Sequence, residues 1–266
     1  MSFEALVGWT AAEPLSSGVF LCPEGDGPHP AVLYCHAHGG DYALGKEEVN
    51  RGARWTDGPP GAALSAAGFA VYCVDMPGFG ARQGEGTESA LAKAEAWRGG
   101  SLFARMLADQ RGAFEHLAAD PRVDGTRIYT WGVSMGAALA MWLAALERRV
   151  AGHVNITMLA DIAPLIASGT HDRHGPYLTV PGLLREGDQG DVAAMIAPRP
   201  MFVAHGERDG LTPKDARDAA LAKLPRAGLT TFLQPEAGHG ETPEMRAAAL
   251  AFLARHAHKT DRERQP

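Results

Sequence analysis

Short unbroken apolar runs alternate with longer helix-forming stretches along most of this chain. Val19 to Cys22, Ala31 to His36 and Phe69 to Asp75 each read as a strand, as do Arg127 to Trp131, Val150 to Ile156, Met201 to His205 and Thr230 to Gln234. Most of these runs lack an alternating polar face, so they predict a mainly parallel sheet covered on both sides. Helical segments lie between them. Ala62 to Ala67 is stopped by Gly68, a residue suited to the left-handed turn that ends a helix. Ser101 to Ala119 carries Leu102, Met106, Leu107, Phe114 and Leu117 on an apolar side and ends at Asp120-Pro121, because a residue before proline avoids helical geometry. Ala137 to Leu146 is built of helix formers, and Pro243 to His256 is the closing helix. Gly and Pro crowd the connection Pro23 to Pro30 and the loop Met76 to Gly80, which marks both as turns.

Strands alternating with helices give an α/β fold class with a central, mainly parallel sheet and helices on both faces. Such sheets bind ligands at the carboxyl ends of their strands. No repeat or low-complexity linker divides the chain, so residues 1–258 read as a single domain and 259–266 as a charged, disordered tail. The stretch 157–197 exceeds what a plain connection needs and reads as a lid-like insertion over the sheet's carboxyl edge.

Composition narrows the function classes. At 266 residues, with 45% hydrophobic and 21% charged residues, the chain has the make-up of a soluble globular enzyme. A formal net charge of -6 and no Lys/Arg cluster argue against a nucleic-acid partner. The same charge disfavours strongly anionic substrates by repulsion. No apolar run approaches the ~18 residues of a membrane span, and the start lacks the basic and apolar regions of a signal peptide. A cytoplasmic protein with no membrane partner is the expectation. Cys22, Cys35 and Cys73 are an odd set on strand-like segments, which reads as reduced thiols. Nothing in the sequence fixes an oligomeric state.

The chemistry begins at Gly132-Val133-Ser134-Met135-Gly136, between an apolar strand and a helix. That context is the one a nucleophile elbow requires. A bland alternative exists, because serine is also a favoured helix N-cap. A serine hydroxyl needs a histidine base, and the histidine needs a carboxylate to orient it. In this type of sheet they follow in the order Ser, acid, His. Asp209 lies just past the Met201–His205 strand, and turn position places it ahead of Glu207. His239 sits in the glycine-bracketed loop Glu236-Ala237-Gly238-His239-Gly240 after the last strand. His205 is expected to pack on its strand, and His256 and His258 to lie solvated in the closing helix. The oxyanion needs two N–H donors. Met135 is the first candidate, and either Ala37 or His38 in His36-Ala37-His38-Gly39-Gly40 is the second. His36, Gly39, Tyr177 and Leu183 are candidates for lining the substrate pocket. The imidazoles of His36 and His38 are expected to serve hydrogen bonds within their loop.

Taken together these segments resemble the α/β-hydrolase superfamily. More narrowly they are similar to its dienelactone-hydrolase-like and acetyl-xylan-esterase-like branch. The resemblance spans residues 30–255. It rests on Leu33 to Gly39, Asp75 to Gly80, Val123 to Ile128, the elbow, Ala197-Pro198-Arg199-Pro200 and the loops of Asp209 and His239. Dienelactone hydrolases proper use a cysteine nucleophile, so Ser134 shifts the expectation toward esterase chemistry. Related esterases often carry a second glycine where this chain has Ala137. The resemblance implies a metal-independent enzyme with no cofactor, although His171, Asp172 and His174 stand close enough in sequence to consider a metal. It implies a small-molecule ester substrate and an acyl-enzyme intermediate. An amidase, peptidase or thioesterase with the same triad, and a non-catalytic receptor on the same fold, are the rivals.

Overall fold

The structure, a computed structural model, describes residues 2–257. The stretch 259–266, expected to be a disordered tail, and His258 lie outside the described residues. Seven strands form one sheet: β1 (Val19–Leu21), β2 (His29–Cys35), β3 (Ala70–Cys73), β4 (Val123–Val133), β5 (Gly152–Ile156), β6 (Met201–Gly206) and β7 (Leu229–Gln234). They lie in the order β1-β3-β2-β4-β5-β6-β7, parallel throughout except for β1, which runs antiparallel to β3 at the edge. The expected strands are all present with ends shifted by a few residues. β4 extends back to Val123 because His29 of β2 still pairs there, although that stretch carries little apolar signal.

The first helices are α1 (Phe3–Leu6), α2 (Glu48–Arg51), α3 (Pro60–Ala66), α4 (Glu88–Trp97), α5 (Leu102–Ala118) and α6 (Met135–Leu146). They are followed by α7 (Ile162–Ser168), α8 (Leu183–Glu186), α9 (Gln189–Ala194), α10 (Lys214–Ala222) and α11 (Pro243–Ala257). One apolar core joins α5, α6 and α9 to one face of the sheet, and a second joins α3 and α11 to the other. Burying both faces removes apolar surface from water at about 25 cal/mol per Å². This is why the central strands carry no polar alternation. Every residue of α6 is buried. An all-apolar helix of small and branched residues is what that sandwiched position needs.

The segment 157–197 divides in two. Residues 170–180 form two tight turns near the sheet's carboxyl edge. α9 instead enters the core through Val192 and Ala193, and the Trp142 indole N–H donates to Gln189 Oε1 at 2.7 Å. The stretch 157–197, read from the sequence as a lid-like insertion, thus ends in a packed layer. Among the described residues no helix is long and apolar enough to cross a membrane.

Trp142 fills the space between α6, Phe3 and Phe103. Trp142→Ala should lower unfolding free energy by about 3–5 kcal/mol, the usual cost of an emptied aromatic site. Urea denaturation of the variant against the parent protein checks this.

Candidate active site

The turn between β4 and α6 is set by sterics. A Cβ on Gly132 would lie 2.2 Å from the carbonyl carbon of Gly136, and one on Gly136 would lie 1.9 Å from the Cys35 carbonyl oxygen. Only glycine fits either position. Between them Ser134 is held at φ 55°, ψ -122°, a strained backbone for a residue with a side chain. Its N–H donates to the Ile156 carbonyl at 3.0 Å, which ties the turn to β5. The Ser134 hydroxyl does not cap α6. Its Oγ lies 2.8 Å from His239 Nε2, so the N-cap alternative is not what the side chain does.

His239 Nδ1 lies 2.8 Å from Asp209 Oδ2. With Nδ1–H donating to the carboxylate, Nε2 is free to accept the serine proton. Both carboxylate oxygens of Asp209 are further occupied. Oδ1 accepts from the amides of Leu211 and Thr212 at 2.8 and 3.1 Å, and Oδ2 accepts from the Thr212 hydroxyl. Burial alone would raise the Asp209 pKa, but the His239 and Thr212 hydrogen bonds outweigh it and hold the carboxyl below its usual range. Glu207, the competing carboxylate, is exposed. His205 is fully buried in β6 with neither ring nitrogen hydrogen-bonded. The loops of Asp209 and His239 meet backbone to backbone: a Cβ on Gly206 would strike the Ala237 carbonyl oxygen at 2.2 Å, and Arg208 N–H donates to that oxygen at 2.9 Å. Trp55, absent from the sequence-based reading, packs edge-on to the His239 ring with centroids 5.2 Å apart.

The loop after β2 treats the two candidate amides differently. The Ala37 N–H donates to Glu48 Oε2 at 3.0 Å and Oε1 at 3.2 Å, so it is not free to meet an oxyanion. His38, next along the chain, lines the cavity above Ser134. Met135 stands at the first turn of α6, where no helical carbonyl precedes its N–H. His36 is corrected from pocket lining to scaffold. It is 1% exposed, its Nδ1 meets the Ala37 carbonyl at 3.0 Å, and its Nε2 accepts the Met76 N–H at 3.1 Å. The His38 ring accepts the Gly40 N–H at Nδ1 and lies 2.8 Å from Glu88 Oε2 through Nε2, so Nε2 carries the proton.

The cavity holds about 480 Å³ and is lined by His38, Gly39, Trp55, Ser134, Arg173 and Tyr177, among others. Gly39 and Tyr177 thus line the same cavity as Ser134. Leu183 lines an adjoining cavity of about 600 Å³, which shares His174, Gly175 and Pro176 with the first. Net charge is a poor guide to this cleft, because Arg54 and Arg173 both line it. The Arg54 guanidinium lies over the Trp55 ring at 4.4 Å. Arg173 Nη1 donates to the Gly210 carbonyl at 2.6 Å, and His174 Nε2 donates to that of Leu211 at 2.9 Å. Among the described residues no three His, Cys, Asp or Glu side chains are grouped to hold a metal ion.

Residues 58–172 match the family model described as serine aminopeptidase, S33. The chain is 34% identical over 236 residues to "Putative hydrolase YtaP" of Bacillus subtilis (strain 168), covering 86% of this chain and 79% of that protein. Its structure is similar to the acetyl xylan esterase from Paenibacillus sp. R4, with TM-score 0.69, 17% identity, 95% of this chain covered and 92% of the other. It is also similar to the 2,6-dihydroxy-pseudo-oxynicotine hydrolase, with TM-score 0.64, 21% identity and 91% of this chain covered. The chain spans 64% of that protein's length.

Burial pushes three histidines to low pKa: His36 and His205 to about 4 and His153 to about 3. Each is neutral when folded and takes a proton near pH 6.5 when unfolded. The unfolded chain therefore binds more protons below that pH, and stability is lost as pH falls from about 6.5 toward 4. Unfolding free energy should drop over this interval. Replacing the unpartnered His205 with Gln should shrink the difference between urea denaturations at pH 7 and pH 5.

Proposed function

Because this chain belongs to the α/β-hydrolase superfamily, we propose that it hydrolyses carboxylic esters through an acyl-enzyme intermediate. Ser134 is the nucleophile, His239 the general base and acid, and Asp209 the group that orients His239. The observation that carries this reading is the unbroken chain of two 2.8 Å contacts, Ser134 Oγ to His239 Nε2 and His239 Nδ1 to Asp209 Oδ2. The Ser134 proton passes to Nε2 as Oγ bonds to the substrate carbonyl carbon. Asp209 stabilises the imidazolium that results. The N–H groups of Met135 and His38 receive the oxyanion. His239 then gives its proton to the departing alcohol, and a water molecule activated by the same imidazole releases the acid from Ser134.

The cleft supports an ester over an amino-terminal peptide. An aminopeptidase must meet a cationic amine. The walls of this cleft supply the cations Arg54 and Arg173, while Glu88 is committed to His38 and Tyr42. A cavity of about 480 Å³ suits a small or medium substrate. The expected absence of a cofactor is part of this proposal: each step uses only this chain's own groups and water.

Ser134→Ala should lower kcat on p-nitrophenyl acetate by several orders of magnitude, leaving about 10³–10⁴-fold over water. A fluorophosphonate probe should label the parent protein at Ser134 and not the variant. Turnover of acetyl-p-nitroanilide should fall far below that of the ester. Near-normal turnover by the Ser134→Ala protein would overturn the assignment, and equal rates on ester and anilide would overturn the substrate class.

A further inference from the structure

Glu48 is a carboxylate with 1% exposure at the start of α2, and the reaction just described does not touch it. Its Oε1 accepts the Tyr34 hydroxyl at 2.6 Å, and both oxygens share the Ala37 N–H. The segment leading into α2 is itself anchored. Asp75 takes the Lys46 N–H at 2.8 Å and the Ala81 N–H at 3.1 Å, and pairs with the Lys46 ammonium at 3.2 Å. Glu48 therefore reaches Ala37 from a fixed base.

The peptide unit that follows is held from the other side. His36 Nδ1–H donates to the Ala37 carbonyl oxygen. In a trans planar peptide the N–H points opposite to its carbonyl. Turning the Ala37 carbonyl toward His36 turns the His38 N–H the other way. The two successive amides of this loop thus part ways: the Ala37 N–H goes to Glu48, and the His38 N–H points away from the carbonyl that His36 holds.

We propose that Glu48 is a positioning residue for ester hydrolysis: by capturing the Ala37 N–H it sets the loop so that the His38 N–H, paired with that of Met135, receives the oxyanion. The inference rests on Ser134 being the nucleophile. Glu48 does not touch substrate. What it supplies is an acceptor at one place, since a donor aimed at the oxyanion site is worth about 10²–10³ in kcat. The charge is not what matters. Burial pushes the Glu48 pKa up to about 7, against the pull of the Tyr34 and Ala37 hydrogen bonds. Glu241 and Arg246 also act on it, and they are paired with each other at 2.7 Å. Either protonation state keeps a carbonyl-type oxygen for Ala37, and so does a carboxamide.

The test compares Glu48→Gln, Glu48→Asp and Glu48→Ala with the parent protein on p-nitrophenyl acetate and with an alkyl trifluoromethyl ketone, whose hydrate-like adduct on serine carries the oxyanion. Glu48→Ala should lose about tenfold to a hundredfold in kcat, with KM moving less than about threefold. Affinity for the ketone should fall by the same factor as kcat. Glu48→Gln should restore kcat to within about threefold of the parent. Glu48→Asp, which withdraws the acceptor by one methylene and keeps the charge, should lie between, and carries the test if Glu48→Ala does not fold. Circular dichroism establishes folding before the kinetics are read. The proposal is overturned if folded Glu48→Ala or Glu48→Asp keeps parental kcat. It is overturned also if kcat falls while ketone affinity does not, or if Glu48→Gln is as impaired as Glu48→Ala. Should Ser134→Ala remain active, the nucleophile assignment fails first, which separates the two readings.

Discussion

One steric contact organises this molecule: the backbone of Gly136 against the Cys35 carbonyl, at a separation no side chain survives. It brings the first turn of α6 up to the end of β2. Everything local follows. Ser134 is lifted into a strained conformation at the turn, and its amide is tied across to β5. The loop after β2 is pressed beside the helix start, with the Cys35 and His36 carbonyls against Gly136. A second contact of the same kind, Gly206 against the Ala237 carbonyl, joins the loops of Asp209 and His239. Both halves of the site are thus assembled by missing side chains, and the strain at Ser134 is held in place by the packed layers around it.

Polar groups beneath the cleft do the finer work. His36 and Glu48 hold opposite ends of one residue, Ala37. Because burial keeps His36 neutral, its ring presents one donor and one acceptor and meets both the Ala37 carbonyl and the Met76 amide. A charged imidazole would have no acceptor for Met76. The same low-dielectric surroundings sharpen the Asp209–His239 contact, since Asp209 is buried and makes four hydrogen bonds, to Leu211, Thr212 and His239.

The sheet, its strand order of chemistry and the three residues Ser134, Asp209 and His239 were legible in the sequence. Apolar runs report burial directly, and loops after successive strands of a parallel sheet must gather at one edge. Other features carried no such signal. α4 buries only Glu88 and Leu91, and α10 buries Ala216, Arg217 and Ala220, so neither shows an apolar stripe. The choice between Ala37 and His38 depends on a carboxylate eleven residues on, and no spacing rule announces that capture. Tyr177 lines the cavity that holds Ser134, whereas Leu183 lines the one adjoining it, a difference that no sequence pattern marks. His36 looked like a pocket residue because it follows a strand end, but its ring turns inward to the backbone. The overall acidic charge said little about a cleft whose walls carry two arginines.

Arg173 and His174 grip the carbonyls of Gly210 and Leu211, and Leu211 in turn donates its amide to Asp209. Residues 173–174 and the loop of Asp209 are therefore tied together by hydrogen bonds. Any movement of residues 173–174 would pull on those two carbonyls, and through them on the peptide that donates to the Asp209 carboxylate.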